Sequence, residues 1–381
     1  MTKDYYEMLK VERLINASGT LTSLGGCKMR PSAAEAMALA SSSFIDLEDF
    51  HLKAGAHIAR LLNVEAACVT AGAAAGLLQA TAACMTGCDP ALIAMLPGHP
   101  PRYKVVIQCT HRNPFERAIR LAGAELIIVG DAIQTHPYDL EYALDESTAA
   151  VAHFLQADML DASLGLDETL EIAHRHAIPV IVDAAAELPP KSNLWRLAQK
   201  GADLVIFSGS KDIGGPQPSG LMVGRSDLIK ASMLQTTPHE FVPGRVMKAG
   251  KEVVAGFLCA LEEYLQQDEE RRFQDWERMC EHLQNALTAI NGIQVKRFYP
   301  TQPKIQPPHP PRLEVVLDHS LPLTVAELRH SLRHGTPAIA TETYRDSLWL
   351  NVHTMDWDDV DIITRRINEI IEERRSKPSV A

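Results

Sequence analysis

From Tyr103 to Lys211, short apolar runs alternate with amphipathic stretches. "YKVVIQC" is followed by "NPFERAIRLAG", "AELIIVG" by "PYDLEYALDE", "AAVAHFLQ" by "LGLDETLEIAHRHA" and "IPVIVDAA" by "LWRLAQKG", before "ADLVIFSGSK" closes the series. An apolar run without polar alternation suits a strand buried on both faces, and the stretches between supply the crossover helices. This rhythm predicts an α/β fold with a mostly parallel sheet and helices on both faces. The link from Lys211 to the run "GLMVG" is too short for a crossover helix. That strand is therefore expected to run antiparallel to its neighbour.

Upstream, "NASGTLTSLGG" reads as a Gly-rich turn, and residues 1–30 as an N-terminal arm. "PSAAEAMALASS" and "DLEDFHLKAGAHIARLLN" read as helices. In the second, Leu52, Ala56, Ala59 and Leu62 recur at helical spacing. "EAACVTAGAAAGLLQATAACMTG" reads as a strand, a Gly turn and an Ala-rich helix. Residues 31–250 are expected to form one large domain. Beyond them "KEVVAGFLCALEEYLQQDEERRFQDWERMCEHLQNAL" reads as one long connecting helix, and the Pro-rich "YPTQPKIQPPHPPR" as an exposed loop. "RLEVVLD", "TVAELRHSL", "SLWLNVHT" and "DDVDIITRRINEIIEERR" alternate again. Residues 251–381 are thus expected to hold the connecting helix and a small C-terminal α/β domain.

Composition narrows the function classes. A chain of 381 residues can bury a large core and a smaller second one. Its net charge of −11 argues against a nucleic-acid partner, which would call for clustered Lys and Arg. No apolar run is long enough to cross a bilayer, and "MTKDYYEMLKVERLINASG" has no apolar signal core, so no membrane partner and a cytoplasmic location are expected. The seven cysteines are scattered, with only Cys84 and Cys88 close together, and read as reduced core thiols. "HRH" at His174–His176 lacks the spacing of a zinc site, so no metal is expected.

Three features fall at the carboxyl ends of strands, where such sheets gather ligands. In "VTAGAAAGLL" a strand ends at Val69, and a helix begins near Ala73 after the Gly72 turn. The N–H groups of such a helix start can hold a phosphate, though close helix–sheet packing would give the same pattern. Asp183 closes the apolar run "PVIVD", where it either caps a following helix or meets a cation such as a protonated ring nitrogen. Lys211 follows the next strand. A partly desolvated amine has a lowered pKa and can attack a carbonyl to form a Schiff base. Together the three are what pyridoxal 5'-phosphate requires: a lysine, a carboxylate for the pyridinium nitrogen and a phosphate cup. Ser208 and Ser210 are candidate hydroxyl donors to that phosphate.

The stretches "INASGTLTSLGG", "GAHIARLLNVEAACVTAGAAAGLL", "ETLEIAHRHAIPVIVDAAAE", "DLVIFSGSKDIGGPQPSGLMVG" and "GRVMKAGKEVVAGFLCALEEYL" resemble the fold type I pyridoxal-phosphate enzymes over roughly residues 11–265. Within them the chain resembles the bacterial selenocysteine synthase-like group and its D-glucosaminate-6-phosphate ammonia-lyase branch. The resemblance implies that Lys211 is the Schiff-base lysine and Asp183 the pyridinium partner. It implies a phosphate cup from Thr70, Ala71, Gly72, Ala73 and Ala74, and His111 in "CTHRNPF" stacked on the ring. It also implies a homodimer or an assembly of dimers.

Two departures concern the substrate. The position two residues after Asp183, often His in these enzymes, is Ala185. In "WLNVHTM", His353 stands where an Arg-Thr pair is common. Arg245, Lys248, Arg345 and His353 are therefore the candidates for gripping a substrate anion. Selenium transfer is disfavoured, because that role calls for an extra N-terminal tRNA-binding region. The expected function is a lyase acting on a small β-hydroxy or sugar-derived amino acid by α,β-elimination, releasing ammonia and a 2-keto acid. A racemase or aldolase would use the same lysine, and a non-catalytic binding protein could retain the fold.

Overall fold

Each apolar run between Tyr103 and Ser208 is a strand in the computed structural model, which describes residues 3–155, 162–299 and 310–376. In chain order the strands are β1 (Leu14–Asn16), β2 (Ala66–Thr70), β3 (Lys104–Gln108), β4 (Glu125–Val129), β5 (Thr148–Phe154), β6 (Val180–Asp183), β7 (Leu204–Ser208), β8 (Gly220–Gly224), β9 (Ile293–Phe298), β10 (Arg312–Leu317), β11 (Ala338–Ala340), β12 (Glu342–Tyr344) and β13 (Ser347–Asn351). The chain forms two units. One is Met29–Gln267; the other joins Met1–Lys28 to Asp268–Ala381.

In the larger unit the described strands form one sheet in the order β2-β8-β7-β6-β5-β3-β4. β8 runs antiparallel to both β2 and β7, and the remaining pairs are parallel. The short link after Lys211 forces that reversal, as expected. β5, β6 and β8 are buried at every position, which is why their sequences are apolar throughout. The Ala-rich helix Ala73–Thr86 packs close to the sheet: a Cβ on Gly76 would lie 2.9 Å from Ile206 Cγ2.

Helix Leu47–Leu62 departs from the expected face. Its buried residues are His51, Ala54, Gly55, Ile58 and Leu62, whereas Leu52 and Ala56 are exposed. Gly55 sets this rotation, because a Cβ there would sit 2.2 Å from the Ala67 carbonyl oxygen on edge strand β2. Leu52, Ala56 and Ala59 instead line a cavity of about 450 Å³. The expected long helix is two helices, Lys251–Gln266 and Glu269–Thr288. Gln267 is extended, and Asp268 Oδ1 accepts the Arg271 N–H at 3.0 Å to start the second helix.

The smaller unit has an antiparallel sheet in the order β12-β13-β10-β9, and β1 pairs in parallel with β11. Helices Glu269–Thr288, Val325–Arg333 and Trp357–Ser376 belong to the same unit. Its core includes Trp276, Leu283, Leu313, Leu328, Leu350 and Ile367. Burying each such side chain contributes about 1.5–3 kcal/mol. Residues 300–309, most of the Pro-rich segment, lie outside the described residues.

The Gly55 contact generates a stability prediction. Gly55→Val should lower stability by about 1–3 kcal/mol, because helix and edge strand must separate. In a thermal melt each kcal/mol is worth about 2–4 °C for a unit of this size. A melting temperature unchanged by the substitution would show that the close approach is dispensable.

Candidate active site

Asp183 ends β6 and Ser208 ends β7, and the parallel register pairs Asp183 with Ile206. Lys211 follows Ser208 by one turn, so both groups belong to the carboxyl edge of the sheet. The pairing continues sideways. Gly220 of β8 faces Ser208 on one side and Thr70 on the other. On the opposite flank Phe154 pairs with Asp183, and His111 Nδ1 accepts the Phe154 N–H at 3.3 Å. One edge therefore brings together Thr70, Ser208, Ser210, Lys211, Asp183 and His111.

Asp183 is 8% exposed, and its Oδ1 accepts the Ala185 N–H at 2.9 Å. It caps no helix, since the next one, Asn193–Gln199, starts from Ser192. Burial pushes its carboxyl above the ordinary value, opposed by the Ala185 hydrogen bond and by the charge of Lys211. An adjoining cation would favour the charged carboxylate.

Lys211 sits half-buried in a segment fixed by backbone bonds. Gly209 N–H donates to Ser219 O at 2.9 Å, Gly215 N–H to Gly209 O at 2.8 Å and Gly214 N–H to Lys211 O at 3.1 Å. Gly209 is required here, because a Cβ would lie 2.3 Å from Ser219 Oγ. Side chains from distant parts of the same unit lock the segment. Tyr264 OH donates to Asp212 Oδ2 at 2.6 Å. Arg30 donates through Nε to Ile213 O and through Nη1 to Glu263 Oε1, each at 2.8 Å. The sequence reading missed Arg30, Asp212, Glu263 and Tyr264; an acidic residue directly after Lys211 was the available signal.

At the other end of the row, Thr70 Oγ1 donates to Gly72 O at 2.9 Å. Gly72, at φ +98°, starts helix Ala73–Thr86 with no side-chain cap and nothing within 4 Å of a built Cβ. The first N–H groups of that helix thus lack an intrahelical or side-chain acceptor. Gly220, also missed, lets β8 press against this turn, because a Cβ there would lie 2.5 Å from Thr70 Oγ1. Ser208 Oγ and Ser210 Oγ are 3.4 Å apart.

His111 is 1% exposed, and burial pushes its pKa down to about 4. Because Nδ1 accepts from Phe154, the proton of the neutral ring belongs on Nε2. His153, fully buried, meets it edge to face with ring centroids 4.5 Å apart.

The four substrate candidates divide between the units. Arg245 is half-buried and donates through Nη1 to Thr237 Oγ1 at 3.3 Å, and Lys248 is exposed; both are in the larger unit. Arg345 and His353 belong to the smaller unit. Arg345 occupies the turn between β12 and β13 at φ +50°, over the Tyr344 ring, and His353 meets Trp276 edge-on. Among the described residues no group of three or more His, Cys, Asp or Glu is placed to hold a metal ion.

The larger unit's site residues fit pyridoxal 5'-phosphate. An uncapped helix start suits a phosphate, a buried carboxylate suits a pyridinium, and an amine lies near that carboxylate. Comparisons agree with this chemistry. Residues 14–292 match the model of the family described as SelA: L-seryl-tRNA selenium transferase. A D-glucosaminate-6-phosphate ammonia lyase of Salmonella typhimurium is 33% identical over 77% of this chain and 78% of its own. A 5'-C-glycyluridine monooxygenase-decarboxylase of a Streptomyces species is 30% identical over 98% of this chain and 94% of its own. The solved structure of a D-glucosaminate-6-phosphate ammonia-lyase superposes with a TM-score of 0.84 at 29% identity, covering 99% of this chain and 100% of that one.

The buried His111 generates a pH prediction. Its pKa is about 4 when folded and near the ordinary 6.5 when unfolded. Between those values the unfolded chain binds a proton that the folded chain does not. Stability is therefore fully present above pH 6.5 and falls as the pH drops toward 4. The loss from His111 totals ~3 kcal/mol. His111→Asn should flatten this limb of a denaturant-unfolding series across pH. An unchanged slope would place His111 in a solvated setting.

Proposed function

Because the chain belongs to the L-seryl-tRNA selenium transferase (SelA) family, we propose that it is a pyridoxal-phosphate-dependent lyase acting on a small β-hydroxy or sugar-derived amino acid, with release of ammonia and a 2-keto acid. The observation that carries this reading is the row across the sheet edge: Thr70, Gly220 and Ser208 in register, with Asp183 and Lys211 beside them. The ammonia-lyase relatives, by sequence and by structure, support the reaction.

The chain's own groups divide the work. The uncapped N–H groups after Gly72, the turn from Thr70 to Ala74, and the hydroxyls of Ser208 and Ser210 would hold the cofactor phosphate. Asp183 would keep a proton on the ring nitrogen, since its buried charge needs that cation. His111, neutral and wedged against His153, would cover the ring without adding charge. When bound, pyridoxal 5'-phosphate supplies an electron sink for the electron pair left at the substrate Cα. Lys211 would hold the cofactor through its amine and, with that amine free, would take the Cα proton of the substrate. The proton taken by Lys211 would leave with the β-hydroxyl as water, and protonation at Cβ followed by hydrolysis of the C–N bond would give the keto acid and ammonia. Arg245, Lys248, Arg345 and His353 remain the candidates for the substrate anion.

The reading includes a cytoplasmic homodimer, or an assembly of dimers, without nucleic-acid or membrane partners. Among the described residues no helix is long and apolar enough to cross a membrane. A second reading rests on the Streptomyces relative, whose match extends over nearly the whole chain and whose name denotes oxygen-dependent decarboxylation.

The products separate the two. A screen of D-glucosaminate-6-phosphate and related β-hydroxy amino acids should yield keto acid and ammonia in equal amounts, without oxygen uptake. Lys211→Ala should abolish turnover. Asp183→Asn should lower it by about 10²–10³-fold, or roughly 3–4 kcal/mol at the transition state. Carbon dioxide release with oxygen consumption would establish the second reading, and near wild-type turnover in Asp183→Asn would remove the role given to that carboxylate.

A further inference from the structure

An acidic residue directly follows the lysine on which the proposed chemistry depends. Asp212 is 3% exposed, so its carboxyl is taken out of water beside a half-buried Lys211. A carboxylate close to an amine favours the ammonium form, which has no lone pair with which to attack a carbonyl or take a proton. The hydrogen bond that Asp212 makes answers this conflict. Its Oδ2 accepts the hydroxyl of Tyr264, on helix Lys251–Gln266, at 2.6 Å. We propose that Tyr264 is a positioning residue for Lys211: its hydroxyl holds the Asp212 carboxylate toward the helix and away from the amine, which leaves the amine available to the cofactor. The inference rests on the reading of Lys211 as the lysine that carries pyridoxal 5'-phosphate, and deepens it.

The geometry fixes this direction. The Tyr264–Asp212 bond has the length of a hydroxyl donating to an ionised carboxylate. Tyr264 is 2% exposed, so the packed core holds its ring in one place. Helix Lys251–Gln266 lies directly against the lysine turn, since a Cβ on Gly209 would sit 2.8 Å from Phe257 Cδ2. The backbone of the turn is tied as well. Gly214 N–H donates to Lys211 O at 3.1 Å, and Arg30 Nε to Ile213 O at 2.8 Å. Of the charged groups near the turn, Glu263 of the same helix is answered by Arg30 Nη1 at 2.8 Å. Asp183, at the end of β6, feels the charge of Lys211 and is the carboxylate assigned to the ring nitrogen. Asp212 is the acidic group whose direction decides whether the amine faces a second negative charge.

A buried tyrosine–carboxylate bond also helps to dock a helix. That role alone predicts a lower melting temperature when the hydroxyl is removed, with no change in the pH at which Lys211 becomes reactive. The positioning role predicts such a change, and predicts that removing the charge of Asp212 cancels it.

The reactivity of the Lys211 amine tests the proposal. The full chain, stripped of cofactor, is labelled with trace acetic anhydride across a pH series, and acetylation of the Lys211 peptide is read by mass spectrometry. Tyr264→Phe should move the profile to higher pH and slow labelling at neutral pH by about three- to tenfold, because the released carboxylate stabilises the ammonium. The rate at high pH, where the amine is neutral in every variant, should match the wild type. Asp212→Asn/Tyr264→Phe should give the same profile as Asp212→Asn alone, without the displacement. A wild-type profile in Tyr264→Phe, a slowing that persists at high pH, or a double variant displaced as far as Tyr264→Phe would overturn the proposal. Added pyridoxal 5'-phosphate separates this failure from failure of the cofactor reading. If it protects Lys211 from the label, that reading stands and the profiles judge the inference alone. If Lys211 is labelled equally with and without it, both fall.

Discussion

A carboxylate at the end of a strand buried on both faces has lost most of the water that would stabilise its charge. Asp183 is in that position, with the Ala185 N–H bonded to it and Lys211 among the charges acting on it. Burial raises its pKa, and a permanent cation at the same place would reverse that shift. The site is consistent with this one electrostatic demand. Lys211 is among the charges that act on the carboxylate, the ring-stacking candidate His111 is kept neutral, and the proposed phosphate end offers uncapped backbone N–H groups.

The demand can be met only if the lysine is held in place, and much of the surrounding structure does that. Gly209 and Ser219 close the turn, Tyr264 holds Asp212, and Arg30 bridges Ile213 and Glu263. Gly220 allows β8 to press against the turn at Gly72, so the proposed phosphate end and the lysine segment adjoin one continuous row of paired strands. A site assembled on strand ends and locked loops keeps its groups in register at little entropic cost when a ligand arrives.

The parallel sheet was legible because its strands are buried on both faces and so carry unbroken apolar runs. Asp183 and Lys211 stood out because charged residues interrupt such runs only with reason. Asp183 as a helix cap was also open from the sequence; the described helix start at Ser192 removes it. Helix Leu47–Leu62 misled because its periodic apolar stripe at Leu52, Ala56 and Ala59 lines a cavity, while Gly55 faces the strand. The break at Gln267 was hidden because Asp268 runs straight into Glu269 and Glu270, which share its charge and are helical. Arg30, Glu263 and Tyr264 could not be found from spacing, since they meet the lysine loop only through tertiary folding.

The central claim is that Asp183 holds a proton on the nitrogen of a pyridoxal 5'-phosphate ring. The most direct measurement is the ¹⁵N chemical shift of cofactor labelled at that nitrogen, in the wild type and in Asp183→Leu. A protonated pyridinium shift in the wild type that moves to the unprotonated pyridine position in the variant is the result this account predicts. The same shift in both proteins, or an unprotonated ring in the wild type, would contradict it.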